Sequence, residues 1–180
     1  MRLFFGFLLS LVLTGSALAA EFTLSSPDLR EGGGIAAAQV YGGFGCSGGN
    51  VSPALSWSNP PAGTKSFALT VYDPDAPTGS GWWHWVVFNI PASARALAAG
   101  AGSGKAALPA GSVQSRTDFG APGYGGPCPP PGKPHRYVFT LRALDVDRLD
   151  LAENSSGALV GFNLNAHTLA KASLTAHYGR

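Results

Sequence analysis

The segment from Val71 to Pro91, VYDPDAPTGSGWWHWVVFNIP, constrains the fold of this chain more than any other. It has a β-branched and aromatic run at each end and a turn rich in proline and glycine between them, which predicts two strands joined by a turn. Asp73, Asp75 and His84 lie beside these runs. Because polar side chains are costly to bury without partners, we expect them to converge at the mouth of a pocket, where they hold each other and then a ligand.

A second segment, PHRYVFTLRAL from Pro134 to Leu144, has the same character. His135 and Tyr137 stand at the start of a run that is typical of a buried strand. Taken alone, Asp-Pro-Asp is ordinary turn chemistry, and His84 alone would be a structural histidine. The combination of the two histidine-bearing segments is what favours a binding site.

The N-terminus predicts export. Met1-Arg2 is followed by an apolar stretch from Leu3 to Leu13 and then by Ala17-Leu18-Ala19, a small-x-small cleavage pattern. We interpret residues 1–19 as a signal peptide cleaved near Ala19, which leaves a periplasmic or secreted domain of residues 20–180. The apolar stretch is shorter than the ~20 residues of a membrane span, so no integral membrane segment is expected after cleavage; a retained anchor is the alternative.

Composition indicates one loop-rich β domain. The formal net charge is only +2, and the basic residues are scattered singly, which argues against binding to nucleic acid or to an anionic lipid surface. The 25 glycines and 14 prolines fall between apolar strands rather than in a continuous tract. This distribution favours a folded β protein over a disordered chain.

The chain contains two cysteines, Cys46 and Cys128, each in a loop rich in glycine or proline. In an oxidising compartment the simplest prediction is a disulfide between them, with two buried free thiols as the alternative. Such a bond would fix the rim of any site that the two loops frame.

The hydrophobic pattern predicts a β-sandwich or Greek-key sheet with one late helix. Predicted strands cover Phe22–Leu24, Ile35–Tyr41, Leu55–Trp57, Ser66–Tyr72, Trp85–Ile90, Ser112–Thr117, Arg136–Ala143 and Ala172–Tyr178. An amphipathic helix with a serine cap is predicted from Ser155 onward. Its expected apolar positions are Ala158, Leu159, Phe162, Leu164, His167, Leu169 and Ala170.

Four segments carry a resemblance to a known family: NVSPALSW from Asn50, DPDAP from Asp73, GWWHWVVFNIP from Gly81 and GPCPPPGKPHRY from Gly126. In this order they resemble the phosphatidylethanolamine-binding protein family, in its bacterial Raf-kinase-inhibitor-like branch. The resemblance implies a mainly β, antiparallel Greek-key sandwich with a late C-terminal helix and few short helical turns. It also implies a small cavity that binds phosphate or a phosphorylated headgroup, without a cofactor.

Carried over residue by residue, the resemblance identifies a set of ligand-binding positions. They are Asp73, Asp75, His84, His135 and Tyr137, with backbone contacts from the loop through Gly126 and Cys128. Many relatives have a glycine where this chain has Cys128, so a disulfide there would stiffen or narrow that wall.

Physical chemistry assigns the carboxylates an indirect role. Asp73 and Asp75 would repel phosphate, so we expect each to accept a hydrogen bond from a histidine ring, favour the imidazolium and aim the other N–H inward. Tyr137 can add a hydroxyl donor, and glycine-loop amides can add more. Anion affinity should therefore rise as pH falls through the histidine titration.

Three alternatives stay open. GCSGG, residues 45–49, matches the nucleophile-elbow pattern of a serine hydrolase with Ser47 as nucleophile, although a non-enzymatic role is our expectation. Asp73, Asp75, His84 and His135 are also acceptable zinc ligands, although we expect no metal. The third is a protein-interaction or inhibitor module that does not depend on the pocket. The sequence names no partner protein, and it leaves a homodimer open.

Overall fold

The structure, a computed structural model, describes residues 20–180. The predicted signal peptide and its cleavage site after Ala19 lie outside the described residues. Within residues 20–180, no helix has the length and apolar character needed to cross a membrane.

The described part of the chain forms two antiparallel sheets and one α-helix. In chain order the elements are β1 Thr23–Ser25, β2 Leu55–Ser58, β3 Ser66–Asp73, β4 Trp82–Pro91, β5 Ala96–Leu97, a 3-10 turn Ala101–Ser103, β6 Val113–Gln114, β7 His135–Leu144, α1 Gly157–His167 and β8 Thr168–Tyr178. The larger sheet has the order β6-β4-β3-β7-β8, and the smaller one has the order β1-β2-β5. The predicted mainly β fold with a late helix is confirmed.

The larger sheet is buried on both faces because its central strands have apolar side chains at successive positions. On one face, Phe67 and Leu69 of β3 pack toward the smaller sheet, where Trp57 of β2 meets Phe67 with ring centroids 5.4 Å apart. On the other face, Ala68 of β3 belongs to a second apolar cluster that includes Val160 of α1. This two-sided burial explains the continuous apolar runs that the sequence shows in β3 and β4.

The predicted strand over Ile35–Tyr41 is wrong. The segment forms turns instead, although Ile35 and Val40 are buried as a strand would require. The amide of Ile35 donates to the carbonyl oxygen of His177, which places this segment beside the edge strand β8 without joining the sheet. The loop amides of Tyr41 and Asn50 pair with other loops, so local turn bonds outcompete the apolar pattern.

The predicted helix exists, but its length and its buried face differ from the prediction. Helix α1 begins after Ser156, whose hydroxyl accepts the amide of Leu159, and it ends at His167. Leu169, expected in the helix, belongs to β8. Phe162, expected to be buried, is 75% exposed. The buried face instead carries Val160, Leu164 and Gly157, which lies so close to Trp83 that a side chain at that position would collide with the indole.

Candidate functional site

The candidate site lies where three strands of the larger sheet share one end. Because β3 runs antiparallel to both β4 and β7, its last residue, Asp73, lies beside the first residues of those strands. His135 is the first residue of β7, and His84 is the third residue of β4. The topology therefore brings the two histidine-bearing segments together, as the sequence predicts.

These side chains surround a cavity of about 170 Å³. Its lining consists of Phe44, Asp73, Ala76, Pro77, Thr78, Trp82, His84, Phe119, Cys128, Pro129, Pro130, His135 and Tyr137. Five of the predicted ligand-binding residues are in this set, while Asp75 and Gly126 are not. A few polar groups in a mostly apolar lining is the usual composition of a small-molecule site.

Asp73 orients His135. Its Oδ2 lies 2.8 Å from Nδ1 of His135, and its Oδ1 accepts the amide of Asp75 at 2.8 Å. The side chain of Asp73 is only 4% exposed and that of His135 is 12% exposed, so the pair is screened little by solvent. With Nδ1 engaged by the carboxylate, Nε2 is the ring atom of His135 available to a ligand.

His84 has a different partner from the one predicted. Its Nδ1 lies 2.7 Å from the carbonyl oxygen of Gly125, and no carboxylate takes that place. Burial lowers the pKa of His84, and the Gly125 carbonyl and the more distant Asp73 charge oppose that shift only in part. The expectation of a carboxylate-supported imidazolium is therefore wrong for His84, which is held as a neutral ring donating from Nδ1.

Tyr137 brings a buried hydroxyl into the cavity wall. The residue is 1% exposed, and its hydroxyl has no hydrogen-bond partner within residues 20–180. Burial, with the nearby Asp73 charge, raises the pKa of Tyr137, so the group stays protonated at neutral pH and can donate. Its ring packs edge-on against His84, with centroids 5.0 Å apart.

Asp75 lies outside the cavity, two residues from Asp73. Its Oδ2 accepts the amide and Nε of Arg136, both at 2.9 Å, and its Oδ1 accepts Nη2 of Arg136 at 2.7 Å. These bonds hold the pKa of Asp75 well below its usual range. The predicted role of Asp75 as a histidine partner is wrong, because both of its oxygens are engaged by Arg136.

The loop through Gly126 supplies structure rather than the expected free amides. The amide of Gly126 donates to Oδ1 of Asn50 at 2.7 Å, and the amide of Gly125 donates to the carbonyl oxygen of His84 at 2.9 Å. No local sequence signal indicates the role of Asn50 in fixing this loop. Proline occupies every position of residues 127–131 except Cys128, so Cys128 has the one amide proton of that stretch.

A disulfide joins Cys46 to Cys128, as predicted. Arg180 adds a second link across the same rim. Its Nε donates to the carbonyl oxygen of Pro129 at 2.7 Å, and its two terminal nitrogens donate to those of Gly45 and Phe44 at 3.3 and 3.2 Å. No sequence pattern indicates this contact, because Arg180 is distant from both loops along the chain.

Sequence reasoning missed the aromatic wall of the cavity. Phe119 contacts His84 edge-on at 5.4 Å between centroids, Trp82 at 5.4 Å and Phe44 in a stacked arrangement at 5.9 Å. Phe119 lies in the loop between β6 and β7. Trp82, the first residue of β4, also lines the cavity.

The alternative sites do not form within residues 20–180. Ser47 is exposed in an irregular loop, with no helix directly after it to make a nucleophile elbow. No group of three or more histidine, cysteine, aspartate or glutamate side chains in this part of the chain is placed to hold a metal ion.

Comparison with known proteins agrees with this geometry. The sequence model of the phosphatidylethanolamine-binding protein family matches residues 25–179. The chain belongs to this family. YbhB of Escherichia coli (strain K12) is 57% identical over 155 residues, which cover 86% of this chain and 98% of YbhB.

Other members of the phosphatidylethanolamine-binding protein family extend the comparison. The crystal structure of E. coli YbcL, described as a new member of the mammalian family, superposes with a TM-score of 0.86 at 54% identity and covers 89% of this chain and 99% of YbcL. LppC of Mycobacterium tuberculosis (strain H37Rv), named as a lipoprotein, is 41% identical over 146 residues, 80% of this chain and 66% of LppC. The overall fold is thus shared with a solved relative.

Proposed function

We propose that this protein is an exported, non-enzymatic binding protein whose cavity takes one small anion, phosphate or a phosphorylated headgroup. The observation that carries the proposal is the wall shared by His135 and Tyr137. There a histidine held by Asp73 stands beside a buried hydroxyl that has no hydrogen-bond partner among residues 20–180. A buried polar group without a partner has a free-energy cost of about 1–3 kcal/mol, and a bound oxygen would remove it.

The net charge of Asp73 and His135 determines in which protonation state this wall can bind an anion. With Asp73 ionised and His135 neutral, the wall has a net negative charge and repels an anion. With His135 protonated, the pair is neutral and Nε2 presents an N–H. Binding of phosphate therefore favours the protonated wall, and the affinity should fall as pH rises.

Calorimetric titration of inorganic phosphate tests this directly. We expect the affinity of the wild type to weaken steadily from pH 5.5 to 8, and His135→Ala to bind at least about tenfold more weakly at the acidic end. His177→Ala serves as control, because that histidine does not line the cavity. Affinity that is flat or rises with pH, or that survives His135→Ala, would contradict the proposal.

Export to the periplasm or the medium is part of the same proposal. It is supported by the leader-like pattern of residues 1–19, by the disulfide, which is typical of oxidising compartments, and by a relative named as a lipoprotein. The intact mass of protein recovered from the periplasm after expression of the full chain should correspond to a chain beginning at Ala20. Recovery of the full-length mass from the cytoplasm would reject export.

A further inference from the structure

Aromatic side chains stand at the mouth of the cavity. Phe44, Trp82 and Phe119, which we call the aromatic rim, all line the cavity, and Phe44 is also 63% exposed to solvent. We propose that the aromatic rim is a subsite for a flat aromatic group attached to the phosphate. The ligand class is then an aryl or arylalkyl phosphomonoester. This inference rests on the proposed function.

The backbone at Phe44 indicates that its ring serves a purpose other than packing. Its φ is 54°, in the left-handed region that a bulky side chain rarely adopts because that conformation is strained. The side chain recovers little of this cost through burial, since most of it is exposed. Strained residues of this kind cluster at sites that bind ligands.

The loop that carries Phe44 is held in place from two directions. The carbonyl oxygen of Phe44 accepts Nη2 of Arg180 at 3.2 Å, and the disulfide ties Cys46 to Cys128. Within the aromatic rim, Phe44 stacks on Phe119 with an interplanar angle of 12° and centroids 5.9 Å apart. The ring of Phe44 is therefore preorganised, and a ligand loses little affinity to ordering it.

A chain of ring contacts connects the aromatic rim to the wall of His135 and Tyr137. The ring of His84 meets Tyr137 edge-on with centroids 5.0 Å apart, and it meets Phe119 edge-on at 5.4 Å. All of these side chains line the same cavity. A phosphate held by His135 and Tyr137 can therefore carry a substituent that passes His84 and reaches the aromatic rim within one continuous space.

The geometry of the aromatic rim favours an aromatic group over an aliphatic one. Trp82 meets Phe119 at an interplanar angle of 84°, with centroids 5.4 Å apart. A flat aromatic ring can then stack on one of these partners and meet the other edge-on, which are the two arrangements that aromatic pairs prefer. A saturated ring of the same size gains the burial of apolar area but not these ring interactions.

Two esters of matched size test the subsite. Benzyl phosphate and cyclohexylmethyl phosphate differ in whether the six-membered ring is aromatic, and the methylene group between ring and oxygen keeps the two phosphates alike. At pH 5.5, where the proposed function predicts phosphate binding, calorimetric titration should show that the wild type binds benzyl phosphate about fivefold more tightly.

Variants of Phe44 show whether the aromatic rim causes that preference. Phe44→Leu keeps an apolar side chain and should reduce the ratio of the two affinities to below about twofold, whereas Phe44→Tyr keeps the ring and should retain the wild-type ratio. Phe162→Leu is the matched control, because Phe162 is a 75% exposed phenylalanine of α1 outside the lining. Each ratio compares two ligands on one protein, so a general change in phosphate affinity cancels.

The outcomes separate the subsite from the proposed function. If inorganic phosphate binds but the wild type treats the two esters alike, or if the preference survives Phe44→Leu, the subsite is rejected and the cavity stands. If neither inorganic phosphate nor either ester binds, both are rejected. If the esters bind alike and the wild type sediments with phosphatidylcholine vesicles while Phe44→Leu does not, the aromatic rim is a membrane contact and the subsite is rejected.

Discussion

Asp73 and Asp75 stand two residues apart in one turn, yet they belong to regions with opposite properties. Asp73 faces the cavity, with a side chain 4% exposed, and pairs with His135. Asp75 lies at the surface, with a side chain 31% exposed, and pairs with Arg136, which is 53% exposed. A charge pair in the cavity is costly to break and sensitive to protonation, whereas a solvated pair at the surface mainly sets the local charge.

The largest expected effect is a difference in the free energy of unfolding between variants of these two carboxylates. Asp73→Ala removes the partner of a buried histidine and should lower the free energy of unfolding by about 3 kcal/mol. Asp75→Ala should lower it far less, because Arg136 can turn into solvent. Urea unfolding at pH 7 measures both, with Asp73→Asn as a control that keeps the shape of the side chain. Equal losses for Asp73→Ala and Asp75→Ala would show that the buried pair and the surface pair do not differ as described.

A second comparison, between two buried tyrosines, concerns the cavity itself. Tyr137 has a buried hydroxyl without a partner, whereas the buried hydroxyl of Tyr124 donates to the carbonyl oxygen of Gln39 at 3.0 Å. Tyr137→Phe should raise the free energy of unfolding by about 1 kcal/mol, and Tyr124→Phe should lower it by a similar amount.

The same two variants, Tyr137→Phe and Tyr124→Phe, distinguish an effect on phosphate binding from an effect on stability. Tyr137→Phe should weaken phosphate binding about tenfold, since a hydrogen bond to a charged group is lost, and Tyr124→Phe should leave it unchanged. Thermal unfolding and calorimetry on the two variants give both quantities. A Tyr137→Phe protein that is less stable yet binds normally would mean that the hydroxyl has a structural partner instead.

The smallest expected effect is a dependence of stability on pH that originates at His84. Because burial lowers its folded-state pKa, the unfolded chain binds the proton more readily, and protonation favours unfolding. The contribution of His84 is fully present above its ordinary pKa of 6.5 and is lost as pH falls below that value, by at most about 1.4 kcal/mol per pH unit.

Urea unfolding between pH 7.5 and 5 checks this dependence. His84→Asn should flatten the acidic limb of the curve. If the limb persists unchanged in His84→Asn, its origin lies elsewhere.

The fold could be predicted where local pattern and tertiary environment agree. The central strands β3 and β4 are buried on both faces, and β7 alternates buried with half-buried residues, so all three can be recognised as strands from their sequence pattern. The prediction failed at Ile35–Tyr41, whose residues are apolar enough for a strand but form turn bonds to other loops. It also failed on the buried face of α1, where the fit of Gly157 against Trp83 outweighs the larger exposed side chains.

The candidate site could likewise be predicted only where the local sequence pattern and the tertiary structure agree. His84, His135, Asp73 and Tyr137 were predictable because three strands carry them and strand pairing fixes where strand ends meet. The partners were less predictable. That Gly125, rather than a carboxylate, pairs with His84 and that Arg136 engages Asp75 depends on loop paths, which residue types do not specify.

The run of prolines around Cys128 affects how the cavity discriminates between ligands. Proline restricts the backbone, and the bond to Cys46 ties the same stretch to a second loop, so the conformational entropy of this wall is already lost when the chain folds. Little further ordering of this wall is required when a ligand binds. Discrimination between ligands at this wall is therefore steric. A ligand one methyl group too large would clash with the wall, because the wall does not change shape to accommodate it.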